Sequence, residues 1–461
     1  MPLIKSISGL RGTIGGKPAN SLSPLDIVKF SAAYASWLKQ QSEKKSFTVV
    51  LGRDGRISGA YIQQLVTATL IASGINIINL DLTTTPTAEM AVIFNNADGG
   101  IIITASHNSA EWNALKLLNN KGEFLSAADG ELLLDIAEKE LFSFVAVDKL
   151  GIVTNDTSAL EKHIEAIIQL PLIDIAAIKK KKFKIVVDCI NSTGAIAVPA
   201  LLKALGVKDI ILLNEEINGR FAHNPEPLPQ NLNNISNEVK KQRADLGIVV
   251  DPDVDRLCFV CEDGSFFGEE YTLVAIADYV LKQTKGNSVS NLSSTRALKD
   301  VTLKNGGEYF PSAVGEVNVV TKMKAVDAVI GGEGNGGVIL PQLHYGRDAL
   351  VGIAIFLTYL SQNGKSALQL RKTYPDYFIS KNKIELDNDF DVKKIFSHLQ
   401  RKYKNHPLNT EDGLKIEFDN DWVHLRTSNT EPIIRIYAES NFETTADNIA
   451  RRLMADIKEF M

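Results

Sequence analysis

The chain has 461 residues, 44% of them hydrophobic and 23% charged, and a net charge of −5. At roughly 150 residues per domain this is about three domains, with enough core to fold without disulfides or a structural metal. The mildly acidic balance excludes a nucleic-acid or anionic-membrane binder, and 15 prolines with 32 glycines exclude a disordered or collagenous chain.

Met1–Ser6 lacks the apolar core of a signal peptide, and no run approaches the ~18 apolar residues of a membrane span. From there short apolar runs alternate with helix-like stretches, the pattern of α/β layers. A strand at Phe47–Leu51 precedes a helix at Gly59–Ala72. Strands at Asn76–Leu82 and Gly100–Thr104 bracket a helix at Thr87–Phe94. A second unit begins near residue 155. It has helices at Leu160–Ile168 and Ala195–Leu205 and strands at Phe183–Val187, Ile210–Leu213 and Leu246–Val250. A third has helices at Glu269–Leu281, Arg296–Lys304 and Gly346–Leu360 and a strand at Ala328–Ile330. Beyond about residue 375 the architecture changes. Leu414–Phe418, Trp422–Arg426 and Ile433–Ala438 read as consecutive strands framed by helices at Val392–Tyr403 and Thr444–Phe460, an α+β pattern.

Two features read as structural. Lys179–Lys182 is a solvated helix end or loop. Cys258 and Cys261 have the spacing of a redox or metal pair but lie on the strand-like Arg256–Glu262, where residues three apart face opposite ways. Three cysteines in all, an odd and sparse count, suit a reducing compartment and a cytoplasmic protein.

Three segments share one kind of place, the end of a buried strand where open α/β sheets put their ligands. Ile101-Ile102-Ile103 runs into Thr104-Ala105-Ser106-His107-Asn108. Ile248-Val249-Val250 runs into Asp251-Pro252-Asp253-Val254-Asp255-Arg256. Ala328-Val329-Ile330 runs into Gly331-Gly332-Glu333-Gly334-Asn335-Gly336-Gly337. Asp251, Asp253 and Asp255 share a face if extended, and a tight loop converges them too. Gathered carboxylates repel, so a cation is expected, and oxygen-only donors favour Mg²⁺. A calcium loop is excluded because Arg256 stands where its glycine belongs. Asp251-Pro252-Asp253 also fits a metal-dependent phosphatase of the haloacid-dehalogenase type, with Asp251 as nucleophile and Asp253 as acid/base. The third carboxylate and Arg256 fit a pure metal loop better. Ser106 beside His107 is no hydrolase pair, since sequence neighbours rarely face each other and the nucleophile elbow is absent. Finally, Arg426-Thr427-Ser428-Asn429-Thr430-Glu431-Pro432 joins two strands of the last unit with hydroxyls, an amide and a guanidinium suited to a phosphate.

Together and in this order, these four segments resemble the α-D-phosphohexomutase family. Its pattern has Thr-x-Ser-His-Asn, Asp-x-Asp-x-Asp-Arg, a sugar loop opening Gly-Glu, and Arg-x-Ser-Asn-Thr. Ser8-Gly9-Leu10-Arg11-Gly12, Gly52-Arg53-Asp54-Gly55-Arg56 and Phe221-Ala222-His223-Asn224-Pro225-Glu226-Pro227 also fit. The resemblance covers nearly the whole chain. It implies three similar α/β domains with mixed sheets plus a C-terminal α+β domain around one central cleft, divided here as 1–152, 153–257, 258–375 and 376–461. It implies a phosphoserine at Ser106, with Mg²⁺ held by Asp251, Asp253, Asp255 and a phosphoserine oxygen. Lys116 and Arg11 would stabilise the transferred group or shuttle protons, with His107 and Arg256 beside them. Glu333 and Asn335 would bind the sugar, and Arg426, Ser428, Asn429 and Thr430 the phosphate that stays. A hexose bisphosphate would prime Ser106. The partners implied are small-molecule sugar phosphates, with no nucleic acid and no membrane, for a monomer or homodimer.

Charge supports this reading. Phosphoserine carries about −2, so with three aspartates and a divalent cation about −3 remains, which Arg11, Lys116 and Arg256 offset. Two departures stand out. The sugar loop has Asn335 and Gly337 where many members have serine and histidine, a form similar to archaeal phosphoglucosamine mutases, so the expected substrate is glucosamine phosphate, with phosphomannomutase/phosphoglucomutase activity as the rival. Ser109 stands where proline usually follows Asn108, which predicts a looser loop. Glu316 follows Gly315 near where some relatives carry a sugar-contacting histidine, and is given no role.

Overall fold

The computed structural model describes residues 3–6, 9–18, 20–385, 392–427 and 433–459. The chain divides into two compact units: residues 1–279 with 335–371, and 280–334 with 372–461.

The first unit opens on a seven-stranded mixed sheet, in the order Ile4–Ser6, Gly9–Thr13, Trp112–Leu118, Gly99–Ile103, Phe47–Arg53, Ile75–Leu82 and Val153–Asn155. Its central strands are apolar at consecutive positions because both faces are covered. Val49, Leu51, Ile101 and Ile103 pack with Ile27, Phe30, Ile62, Val66, Leu70 and Ile136 on one side. Val50 and Ile102 pack with Ala88, Ala91 and Val92 on the other. The unit's second sheet runs Leu257–Cys261, Leu246–Val250, Lys184–Asp188, Asp209–Leu213, with the first pair antiparallel and the rest parallel. The helix Ala349–Asn363 closes over it, Phe356 stacking on Phe259 at 3.9 Å between ring centroids.

In the second unit Asn287–Asn291 lies between Tyr309–Ser312 and Ala328–Glu333, all parallel. The C-terminal part is a five-stranded antiparallel sheet, Phe378–Glu385, Ile433–Ser440, Trp422–Thr427, Leu414–Glu417, Leu408–Asn409, backed by helices Val392–Lys402 and Glu443–Lys458. Ile384, Leu399, Ile416, Leu425, Ile436 and Leu453 are buried together between sheet and helices.

The expected fold class therefore holds, three mixed or parallel α/β sheets followed by an α+β sheet. Further elements join those expected. Gly9–Thr13 and Trp112–Leu118 carry Arg11 and Lys116 and so lack a plain apolar signature. Pro24–Gln40 is a helix whose start is marked by Pro24 and by reciprocal Ser23–Asp26 capping. The expected Gly346–Leu360 helix begins at Ala349, because the Asp348 side chain accepts from the Leu350 and Val351 amides and fixes the cap there. The strand from Ala328 runs to Glu333, so Gly331 and Gly332 lie within it. A Cβ on Gly331 would come 2.5 Å from Met323 Sδ, so that glycine serves packing. Lys179–Lys182 ends a short helix in exposed positions, as expected. Among the described residues no helix is long and apolar enough to cross a membrane.

Candidate active site

Ser106 follows the buried strand Gly99–Ile103 with φ +52°, a left-handed conformation uncommon for serine, and is itself buried. Its amide donates to Thr104 Oγ1 at 2.9 Å, and its Oγ donates to Asp251 Oδ2 at 2.7 Å. Asp251, Asp253 and Asp255 are fully buried, and a set of their carboxylate oxygens lies within 4.8 Å of one another. A tight loop makes this convergence. Val254, β-branched and buried, adopts φ +61°, and its amide donates to Asp251 O at 3.1 Å. Such a backbone persists only where its surroundings over-determine it. Here Ser192 and Thr193 hydroxyls donate to Pro252 O at 2.6 and 2.8 Å, and the Ala349 amide to Val254 O at 3.3 Å.

Cations surround the carboxylates. Lys116 Nζ lies 2.6 Å from Asp253 Oδ2 and 3.1 Å from Asp255 Oδ2, and Arg347 Nη2 lies 2.7 Å from the same Asp255 oxygen. Arg11 donates to Asn108 Oδ1 at 2.7 Å, and Arg256 pairs with Glu226 at 3.2 Å. Burial, with Asp255 and Asp253 alongside, pushes the Asp251 carboxyl well above its usual range. Burial would do the same to Asp255, but Arg347 and Lys116 overcome it and hold that carboxyl down. Burial lowers Lys116, and Asp253 and Asp255 outweigh it to raise the ammonium above its ordinary value. Burial, then Arg256 and Arg11, push His107 well below its usual range, and burial brings Arg11 down to about 10.

A divalent cation fits this donor set. Asp253 Oδ1 and Asp255 Oδ1 are buried with no hydrogen-bond partner among the described residues, which for a carboxylate oxygen is costly unless something positive meets it. Arg256 Nε is buried without a partner as well, a donor suited to an anion. A second cluster, His163, His344 and Asp348, gathers metal-capable atoms too. There each Nε2 already faces Asp348 Oδ2, at 3.0 and 3.3 Å, while the Nδ1 atoms face Thr87 Oγ1 and Glu89 Oε2.

The structure thus brings Ser106, His107, Arg11, Lys116, Arg256 and the three aspartates into one unit, and Asn335 belongs to it, accepting from the Gly337 amide at 3.1 Å. Glu333 and Arg426 belong to the other. Glu333 Oε1 accepts from Asn291 Nδ2 at 2.9 Å and from the Gly315 amide at 3.1 Å, so the Gly315–Glu316 turn is tied to it. Arg426 Nε is buried without a hydrogen-bond partner among the described residues. Ser428, Asn429 and Thr430 lie outside the described residues.

Several residues of the site carry no role in the sequence reading. Arg56 is fully buried and organises the Ser106 loop. It pairs with Asp54 at 3.0 Å and donates to four carbonyls, Ser106 (2.5 Å), Asn108 (2.6 Å), Ser109 (2.7 Å) and Trp112 (2.9 Å). The loop expected to be looser for want of a proline at 109 is held there by its carbonyl. Thr85 donates to Asp253 Oδ2 at 2.6 Å. Thr83-Thr84-Thr85 and Asn191-Ser192-Thr193 both follow strands, so the strand-end rule would have found them. Arg347 lies before a helix, where that rule is silent.

Matches to known proteins accord with this geometry. The chain matches the phosphoglucomutase/phosphomannomutase models for alpha/beta/alpha domain I at residues 4–143, domain II at 161–264, domain III at 268–377 and the C-terminal domain at 383–456. It is 34% identical to a phosphoglucomutase/phosphomannomutase of Thermococcus kodakarensis, covering 95% of this chain and 96% of that one. It is 29% identical to a phosphoglucosamine/phosphogalactosamine mutase of Sulfurisphaera tokodaii, over 96% and 97%. In fold it is similar to a phosphoglucomutase/phosphomannomutase family protein of Burkholderia thailandensis, with a TM-score of 0.85 and 24% identity over 99% and 97% of the two chains.

Proposed function

The chain belongs to the phosphoglucomutase/phosphomannomutase family, and from that premise we propose that this phosphohexomutase interconverts glucosamine 6-phosphate and glucosamine 1-phosphate through a phosphoserine at 106. The observation that carries the mechanism is Ser106 Oγ at 2.7 Å from Asp251, beside three buried carboxylates ringed by cations. The amino-sugar preference is supported by Asn335, which both donates and accepts, and by relatives named phosphoglucosamine mutase.

In the proposed cycle a substrate hydroxyl attacks the phosphorus of phospho-Ser106. The Oγ–P bond breaks as the new O–P bond forms, and the hydroxyl proton passes to Ser106 Oγ. The sugar bisphosphate turns over, and Ser106 Oγ takes the other phosphoryl group while the proton returns to the sugar oxygen. Lys116 and Arg11, with His107 and Arg256 beside them, stabilise the group in transit and carry the proton. Glu333 and Asn335 bind sugar hydroxyls or the amine. Arg426, Ser428, Asn429 and Thr430 hold the phosphate that stays. Asp251, Asp253, Asp255 and a phosphoserine oxygen would hold Mg²⁺, which supplies charge neutralisation. Priming by a hexose bisphosphate, a monomeric or homodimeric state, a cytoplasmic location and the division at residues 152, 257 and 375 belong to the same proposal.

The test is kcat/KM for glucosamine 6-phosphate against glucose 6-phosphate, with Mg²⁺ and the matching bisphosphate. A preference above about tenfold, roughly 1.4 kcal/mol of transition-state binding, is expected. Equal or reversed rates would return the reading to a phosphomannomutase/phosphoglucomutase. Ser106→Ala is expected to abolish turnover, and full activity in it would sink the mechanism. Stoichiometric release of inorganic phosphate would instead support the phosphatase with Asp251 as nucleophile.

A further inference from the structure

The protein engages both oxygens of Asp251, Oδ2 through the Ser106 hydroxyl, but only one oxygen each of Asp253 and Asp255. Asp251 Oδ1 accepts from the Asp255 and Arg256 amides, both at 3.1 Å. Asp253 Oδ2 accepts from Thr85 Oγ1 and Lys116 Nζ, both at 2.6 Å. Asp255 Oδ2 accepts from Arg347 Nη2 at 2.7 Å and Lys116 Nζ at 3.1 Å. The remaining oxygens of Asp253 and Asp255 are the two buried ones without a hydrogen-bond partner. Asp253 and Asp255 therefore each offer a single oxygen. Mg²⁺ accepts that arrangement, being small and strict about octahedral geometry, whereas Ca²⁺ gathers more oxygens and readily takes a carboxylate through both.

Arg347 is placed for this task from two sides. Its neighbour Asp348 is fixed by the Leu350 and Val351 amides on one oxygen and by His163 and His344 on the other. Its aliphatic stem lies against Gly337, where an added Cβ would come 2.3 Å from Arg347 Cδ. Gly337 has no left-handed φ, so its missing side chain serves space and not backbone conformation. This is the position where many hexomutases have histidine. The glycine and the arginine thus go together: one vacates the room the other fills.

We propose that Arg347 is a cation-selectivity residue of this loop: as the nearer of the two cations on Asp255 Oδ2, beside Lys116, it restricts that carboxylate to one-oxygen ligation and so favours Mg²⁺ over Ca²⁺. The inference rests on the reading of the three aspartates as the divalent-ion site.

The experiment is titration calorimetry of Mg²⁺ and of Ca²⁺ into the full chain, with Ser106 confirmed unphosphorylated by intact mass. The ratio of the two dissociation constants is the readout, since loss of one positive charge acts alike on two ions of equal charge. Arg347→Met is expected to erode the preference for Mg²⁺ by up to about tenfold, the lower end of the affinity lost when a group orienting a metal ligand is removed. Arg347→Lys, which keeps a charged donor, is expected to keep more of the preference. Gly337→Ala, which displaces the Arg347 stem, is expected to shift the ratio in the same direction as Arg347→Met, and it serves if that variant does not fold. An unchanged ratio in a folded variant that binds both ions overturns the role of Arg347 alone. Binding of neither ion by the unmodified chain overturns the divalent-site reading and this inference with it.

Discussion

Among the described residues, Arg56 concentrates more hydrogen bonds on the Ser106 loop than any residue assigned to the chemistry. Its guanidinium sits in a fully buried pair with Asp54 and serves four backbone carbonyls. Removing it strands both a buried carboxylate and those carbonyls, so Arg56→Met is expected to cost about 3–5 kcal/mol in urea unfolding. Arg56→Lys is expected to rescue little, because an ammonium cannot reproduce the planar fork. Lys116 is a different case. Lys116→Met is expected to lower kcat several hundred-fold, on the order of the 4 kcal/mol carried by one unpaired charge at about 4 Å. Steady-state kinetics check it. Lys116 was legible in the sequence because it stands ten residues after Ser106 in a family pattern. Arg56 lay in plain view within Gly52–Arg56, but nothing in a sequence says which carbonyls a guanidinium will reach.

Among the elements, helix Ala349–Asn363 shows where sequence reading stops. Its apolar run predicts a helix, yet the start is set by Asp348 with His163 and His344, residues 185 and 4 positions away. Burial lowers the His344 imidazole, but its hydrogen bond to Asp348 and the Glu89 carboxylate beside it outweigh that and raise the group to about 10. A histidine so raised stabilises the fold fully below its unfolded value of about 6.5, and that contribution fades as pH climbs through about 10. His344→Gln is therefore expected to lose about 3 kcal/mol or more at pH 6, and the gap to the parent chain should close toward pH 10, followed by denaturant unfolding at each pH. The strands Phe47–Arg53 and Leu246–Val250 were legible because burial on both faces writes a continuous apolar run. Gly9–Thr13 and Trp112–Leu118 were not, since they spend their positions on Arg11 and Lys116.

At the scale of the molecule, Ser106, the aspartate loop and its cations belong to one compact unit, and Glu333 and Arg426 to another. A division of labour in kinetics is expected from this. Arg426→Ala, removing the grip proposed for the phosphate that is not transferred, should act mainly on KM, whereas Lys116→Met should act mainly on kcat. Progress curves over a range of substrate concentration separate the two. The order of four motifs made the family and its architecture readable from sequence alone. The packing that fixes Arg347 joins residues 255, 337 and 347 through space, and no linear pattern carries it.

The chain's cysteines have a practical consequence. Cys189, Cys258 and Cys261 are all unpaired and fully buried, and burial pushes each thiol up, Cys261 to about 12. At neutral pH they stay protonated and out of reach, so alkylating reagents and mild oxidants should leave the native protein untouched. A cysteine placed anywhere on its surface would then be the sole labelled position, and pairs of them would carry fluorophores for measuring motion without any need to strip the natural ones first.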